Sequence, residues 1–353
     1  MMTRTRLGLV AVALCAPAIR AQASPAPLPH TLTDLDAKRM AEIERGEAVA
    51  ITLDAPDKTE IAMLGVVRIP VPRAFYLDRV HDLSGFLVSG MRSAAGKFGE
   101  PARSDDVAAL TLEQSDAKAL EKCKPFSCDV KLPADMMEKL RTELAKSHDP
   151  APKADSLMRE WVVAYVNAYR ADSSEELVVY DDTKRSVRSS EAFRELLSEL
   201  MPAGIDSQPF AQMLALPRGA RPADVASRIS WEIDRLSGLK PTLEVVERSI
   251  YSPSASPTES FMTTKLLYAS HYFESQVDYL TVADAQAPTG RPDIYLVIVR
   301  RQKFDDLPSG GLFNIRGKAV KRLREGLRAT LANTRAEMVK AYAESASAAG
   351  HAP

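Results

Sequence analysis

The last third of this chain narrows its possible folds more than any other stretch. Four β-rich runs, Thr242 to Tyr251, Phe261 to Tyr272, Gln276 to Ala283 and Ile294 to Phe304, follow one another with short turn segments between them. Those segments are Ser252-Pro253-Ser254, Glu274-Ser275 and Pro288-Thr289-Gly290-Arg291-Pro292. Connections this short join antiparallel neighbours, because a parallel crossover needs a dozen residues or more. Ile294 to Val299 is apolar at every position, so this run belongs in the middle of the sheet with both faces covered. A helix from about Phe313 to Ser345 follows, with Val320, Leu323, Leu327, Leu331, Met338 and Tyr342 on one stripe. The pattern predicts an α+β fold in which an antiparallel sheet packs against a long C-terminal amphipathic helix.

Upstream, Asp34 to Arg45 reads as a helix with Thr33 as its cap and Gly46 as its stop. Val49 to Leu53 and Ile61 to Ile69 then alternate as a hairpin across Ala55-Pro56-Asp57-Lys58, and Pro70 and Pro72 close the second strand. Helical spacing returns from Phe75 to Ser89. Short strands are expected at Val107 to Leu112, Asp129 to Leu132 and Leu177 to Tyr180. Helices are expected at Ala134 to Lys146, Ser156 to Arg170, Ser190 to Met201 and Ala223 to Leu236. Asp149 to Lys153 reads as a linker, and Pro202 to Pro222 as loop. The expectation is one domain over 32–345, with a helical insertion at about 113–240 and a disordered tail from 346.

Residues 1–23 have the layout of a secretory signal peptide: Arg4 and Arg6, the apolar run Leu7 to Ala16, and Ala21-Gln22-Ala23 before a cleavage point. Pro25, Pro27 and Pro29 mark a linker over 24–31. Leu14 before Cys15 is too large for a lipoprotein signal. Cleavage would leave Cys123 and Cys128, which an oxidising compartment would join as a structural disulfide around Pro125. These features place the protein in a periplasmic or other secreted setting. At 45% hydrophobic the chain can bury a core, and its formal charge of −1 argues against a general nucleic-acid binder. Beyond the leader, no run approaches the length of a membrane span.

Two parts of this layout resemble the helix-grip fold of the START-related lipid-transfer and ligand-binding superfamily. The first is Gly65 to Ile69 followed by Pro70, Pro72 and helix-opening Phe75; the second is the meander and long helix over 243–345. The resemblance implies that the helix closes a curved sheet and leaves an apolar cavity between them. The segment 113–240 departs from that pattern.

No phosphate loop, dinucleotide fingerprint, zinc-protease helix or nucleophile elbow occurs. Of the histidines, only His81 and His271 fall inside expected elements, and neither has a second base nearby in sequence. Asp181-Asp182 and Asp305-Asp306 fit polar turns. The residues expected to line a ligand site are Tyr268, His271 and Tyr272 on the sheet and Leu323, Leu327 and Leu331 on the helix. Six bases and one acid fall between 313 and 328, so Arg316, Lys318, Lys321 and Arg322 form a candidate anion-facing surface, with Arg316, Lys318 and Arg322 at the cavity mouth. The reading is a noncatalytic binding protein for an apolar or amphipathic ligand, such as a lipid, with no cofactor or metal. The alternatives are an assembly protein that docks on an anionic envelope surface through those bases, and an enzyme of unknown class.

Overall fold

The computed structural model describes residues 35–82, 85–90, 92–171, 177–200, 213–215, 224–235, 239–252, 258–286, 292–306 and 315–349. The expected leader, the linker, Thr33 and most of Pro202 to Pro222 lie outside these residues. The chain opens with α1 (Ala37–Glu44), β1 (Val49–Leu53), β2 (Glu60–Ile69), α2 (Arg73–Val80) and β3 (Arg92–Lys97). After a 3-10 turn at Ser104–Val107 come α3 (Gln114–Leu120), α4 (Ala134–Leu144) and α5 (Pro150–Ala171). The two-residue strands β4 (Val179–Tyr180) and β5 (Val187–Arg188) precede α6 (Ser189–Ser198). The remainder is β6 (Val225–Asp234), β7 (Thr242–Tyr251), β8 (Glu259–Ala269), β9 (Phe273–Gln286), β10 (Pro292–Phe304) and α7 (Ile315–Ala349).

Eight strands form one antiparallel sheet in the order β1-β2-β10-β9-β8-β7-β6-β3. The protein is therefore α+β, with the meander and the long helix where the sequence places them. Local chemistry sets several boundaries. Asp36, not Thr33, caps α1 by accepting from the Arg39 amide at 2.8 Å, and Gly46 ends that helix at φ +83. Helix α2 stops at Val80, well short of Ser89. The stretches 107–112 and 129–132 form no strand, and Asp149 to Lys153 leads directly into α5 at Pro150.

One correction changes the architecture. The segment expected as a helix at Ala223 to Leu236 is strand β6, paired with β7 on one side and β3 on the other. Val225, Ile229 and Ile233 recur at spacing four, which suits a helix. Ile229, Trp231 and Ile233 also alternate with Ser230, Glu232 and Asp234, and that period of two is the one the sheet uses.

Both faces of the sheet are covered, so strand residues alternate between two interiors. Helices α3 to α6 cover one face, against Trp231, Val245, Leu267, Val277 and Val297. Helix α7 and α2 cover the other, against Met63, Val67, Met262, Leu280, Leu296 and Ile298. Gly65 lets α7 approach closely: a Cβ there would lie 2.7 Å from Leu331 Cδ1 and 2.9 Å from Ile298 Cγ2. Among the described residues, no helix is long and apolar enough to cross a membrane.

Candidate functional site

On the α7 face, cross-strand pairs arrange the side chains in rows of very different character. Ile250 pairs with Met262, Met262 with Leu280, Leu280 with Ile298, and Ile298 with Gly65. That row is apolar and packs under Leu327 and Leu331. One step along the strands, Arg248 pairs with Thr264, Thr264 with Asp278 and Asp278 with Arg300. Beyond it, Gln276 pairs with Gln302, and Glu232 on β6 lies opposite Glu244 on β7.

These polar rows border a cavity of about 80 Å³ between the sheet and α7. Its other wall is apolar: Leu323 and Leu327 from α7, with Phe86 and Leu87 from the loop after α2. That loop is tied in place at two points. The Tyr76 hydroxyl donates to the Phe86 carbonyl at 2.6 Å, and the Val88 amide donates to Thr334 Oγ1 on α7 at 2.9 Å.

Two buried ion-pair systems hold the polar wall. Both carboxylate oxygens of Glu232 accept from Arg248 Nη2, at 2.7 and 2.9 Å, and Glu232 also pairs with Arg92 at 2.7 Å. Arg248 donates further to Ser230 Oγ at 2.8 Å. Arg300 donates to Asp278 in fork geometry at 2.8 and 2.6 Å. Burial opposes the charge on Glu232, but Arg248 and Arg92 overcome it and hold this carboxyl below its usual range.

Two further acids lack such partners. Burial, with the Glu232 charge adding to it, pushes the Asp234 carboxyl up to about 6. Glu244 is driven well above the usual range by burial, then by Asp234 and Glu232. Among the described residues, Asp234 Oδ1 and Gln302 Oε1 are buried without a hydrogen-bond partner, and the Glu244 carboxyl makes neither a hydrogen bond nor an ion pair. Gln302 uses only its amide nitrogen, donating to Gln276 at 2.6 Å. Shifted carboxyls gathered around a cavity are a mark of functional sites.

The residues expected at the ligand site divide between the two faces. Leu323, Leu327 and Leu331 all face the sheet, and the first two border the cavity. Tyr268 faces the insertion, donating to the Lys131 carbonyl at 3.0 Å and meeting Trp161 edge to face. His271 lies in the turn after β8, where its Nε2 is 2.8 Å from the buried Asp116 carboxylate. Tyr272 sits in the same turn at φ 64, its hydroxyl accepting from the Lys240 amide at 2.8 Å. None of these three borders the cavity. The expected strand face through Tyr272 ends because β8 stops at Ala269.

Arg316, Lys318, Lys321 and Arg322 also lie away from the cavity lining. Arg316 fastens the start of α7 to the sheet by donating to the carbonyls of Lys58 and Glu60, at 2.8 and 3.0 Å. Lys318 and Arg322 are exposed, and Lys321 is 4.0 Å from Glu325.

Cys123 and Cys128 form a disulfide with their Cα atoms 4.6 Å apart. Their loop is held by the Asp181 and Asp182 carbonyls, which accept from Phe126 and Cys128, while the Asp181 carboxylate accepts from the Ala134 amide at 3.0 Å as α4 begins. These acids therefore shape the insertion.

Neither a protein-family model nor a curated protein sequence matches the chain. Two of the cavity's acids, Glu232 and Asp234, escape sequence reading because they belong to β6. The available signal was the alternation of Ile229, Trp231 and Ile233 with Ser230, Glu232 and Asp234. Once a sheet is covered on both faces, those polar positions are interior as well.

Proposed function

We propose that this protein binds a small amphipathic ligand between its sheet and C-terminal helix, without chemical turnover. The observation that carries this reading is the cavity with one charged wall and one apolar wall. Ligand sites combine apolar lining with a few placed polar groups in this way. An engineered cavity of roughly 150 Å³ holds one benzene molecule, so this smaller space suits a group of a few heavy atoms more than a lipid chain. The resemblance to the helix-grip superfamily supports the reading, since β2 lies beside β10 and α7 closes the sheet. The leader-like N-terminus and the disulfide support a periplasmic or secreted setting.

The test uses three four-carbon probes, butylammonium, butanol and butyrate, followed by ligand-observed NMR on wild type and Leu327→Trp. The larger ring should fill the cavity and abolish binding while the far-UV circular dichroism stays native. If no probe binds wild type, or if Leu327→Trp binds equally well, the reading is wrong.

A second reading, docking to an anionic envelope partner, draws on a different place. A groove of about 400 Å³ runs beside β1, one of the two edge strands of the sheet, and includes Arg39, Arg324 and Arg328. Binding to anionic vesicles that is lost on Arg324→Glu would favour it.

A further inference from the structure

The charges around the cavity do not balance. Arg92 and Arg248 both spend themselves on Glu232, and Arg300 on Asp278. Asp234 and Glu244 remain, so three guanidiniums face four carboxyls. Among the described residues, α7 and the loop after α2 add no charge to the lining, only Leu323, Leu327, Thr330, Phe86, Leu87 and Ser89. An unbalanced carboxylate in such an interior costs several kcal/mol by general estimates, and proteins avoid that cost by neutralising it. Burial and the neighbouring carboxylates favour the protonated form, so both acids sit above their usual range.

We infer that the cavity's ligand is a small organic amine whose ammonium group is held by Asp234 and Glu244. This rests on the binding reading above and names the class of ligand. Glu232 and Glu244 are directly opposite in the β6–β7 register, and Asp234 is two positions along from Glu232 on the same face, so both unpaired acids lie together at one end of the cavity. A separate observation also points to a ligand. Gln302, only 3% exposed, presents an unpartnered Oε1 from β10 and offers an acceptor to a second donor group. The apolar wall of Phe86, Leu87, Leu323 and Leu327 suits the carbon stem. Among the described residues, no three His, Cys, Asp or Glu side chains are grouped to hold a metal ion, so the geometry favours an organic cation over a bare one. A single positive charge brings the cavity to four against four with both acids ionised.

Loading the amine displaces the proton that the acids hold, so binding should tighten as pH rises. The groups facing Asp234 and Glu244 are Glu232 from β6, Arg248 from β7, Arg92 from β3, and Asp278 and Arg300 from β9 and β10.

The experiment is isothermal titration of the full exported chain with butylammonium, butanol and butyrate at pH 5 and pH 8. Butylammonium should bind at least tenfold more tightly than butanol at pH 8. That advantage should shrink at pH 5, and titration near pH 6 in buffers of different ionisation enthalpy should show proton release. Asp234→Asn with Glu244→Gln should erase the advantage while butanol still binds. Butyrate or butanol binding as tightly as the amine in wild type at pH 8 would overturn the inference and leave the binding reading intact. An advantage that survives the double substitution would overturn it too. If none of the three probes binds, both readings fall. The wild-type comparison decides the matter even if the double variant does not fold.

Discussion

Glu247 and Arg248 are neighbours on β7, yet their side chains enter two different interiors. Glu247 faces the insertion and is closed in by partners: Lys265 at 3.1 Å, the Tyr169 hydroxyl at 2.7 Å and the Ser227 hydroxyl at 3.0 Å. Lys265 lies in turn over the rings of Tyr169 and Phe193. Arg248 faces α7 and belongs to a group that stops short of closure, because Asp234 and Glu244 beside it lack cations. Glu247 and Arg248 are both buried and charged. What separates them is completeness, and an incomplete polar interior is where a ligand has something to add.

This contrast can be broken most forcefully on the closed side. Lys265→Met should cost about 3–5 kcal/mol, since it strands the buried Glu247 carboxylate. Urea unfolding of Lys265→Met, with and without Glu247→Gln, checks this: the second change should restore part of the loss. A paired variant no more stable than Lys265→Met alone would mean that the two faces do not differ as described.

A middle-sized effect separates the apolar and polar rows on the α7 face. Leu331 is fully buried over Gly65, whereas Leu327 borders space that is already open. Leu331→Ala should therefore cost about 3 kcal/mol and Leu327→Ala about 2, because cost grows with the new void and a site beside a cavity loses fewer contacts. Thermal unfolding of both variants tests the order, which reverses if α7 has no open space beneath Leu327.

The smallest effect concerns pH. The ordinary value for Asp234 is 3.8, and burial raises it in the fold to about 6. Across that window the folded protein keeps a proton that the unfolded chain has released. Stability should thus fall as pH rises from about 4 to 6 and lose the Asp234 part of this slope above it; Glu244, raised by burial and then by Asp234 and Glu232, acts in the same sense. Asp234→Asn should remove part of the fall, on the order of 1 kcal/mol for a side chain that is not fully enclosed. Urea midpoints measured from pH 4 to 8 would show it. An unchanged slope in the variant would mean that Asp234 is already charged in the fold.

The legible parts of the fold were those where burial on both faces wrote itself into the residues. Ile294 to Val299 is apolar throughout and does lie inside the sheet, and the leucines of α7 do face it. Strand β3 went unseen because Arg92-Ser93-Ala94-Ala95-Gly96-Lys97 carries no apolar alternation. The site was less legible. Arg300 and Gln302 follow the apolar run of their strand, and Glu232 and Asp234 fall within the segment whose spacing suits a helix. Polar residues in a strand mean solvent only if that face is open, and the covering elements, α2, its loop and α7, come from distant parts of the chain. Tyr268 and His271 lie away from the cavity lining for a related reason: an irregularity in the β7–β8 register and the turn after Ala269 break the strict alternation.

The position of β2 has a consequence for how the chain reaches this state. Ile69 pairs with Ile294 and Lys303 with Glu60, so a strand made early is completed only by one made last. Until then the β1–β2 hairpin has one row of backbone groups unsatisfied, an edge that invites pairing with other chains. Contacts so distant in sequence must overcome loop-closure entropy before they return any stability, which slows assembly. Truncation before β10 should therefore leave a sticky hairpin rather than a smaller working protein, and a cell that makes this chain has reason to keep it shielded until its final strand is available.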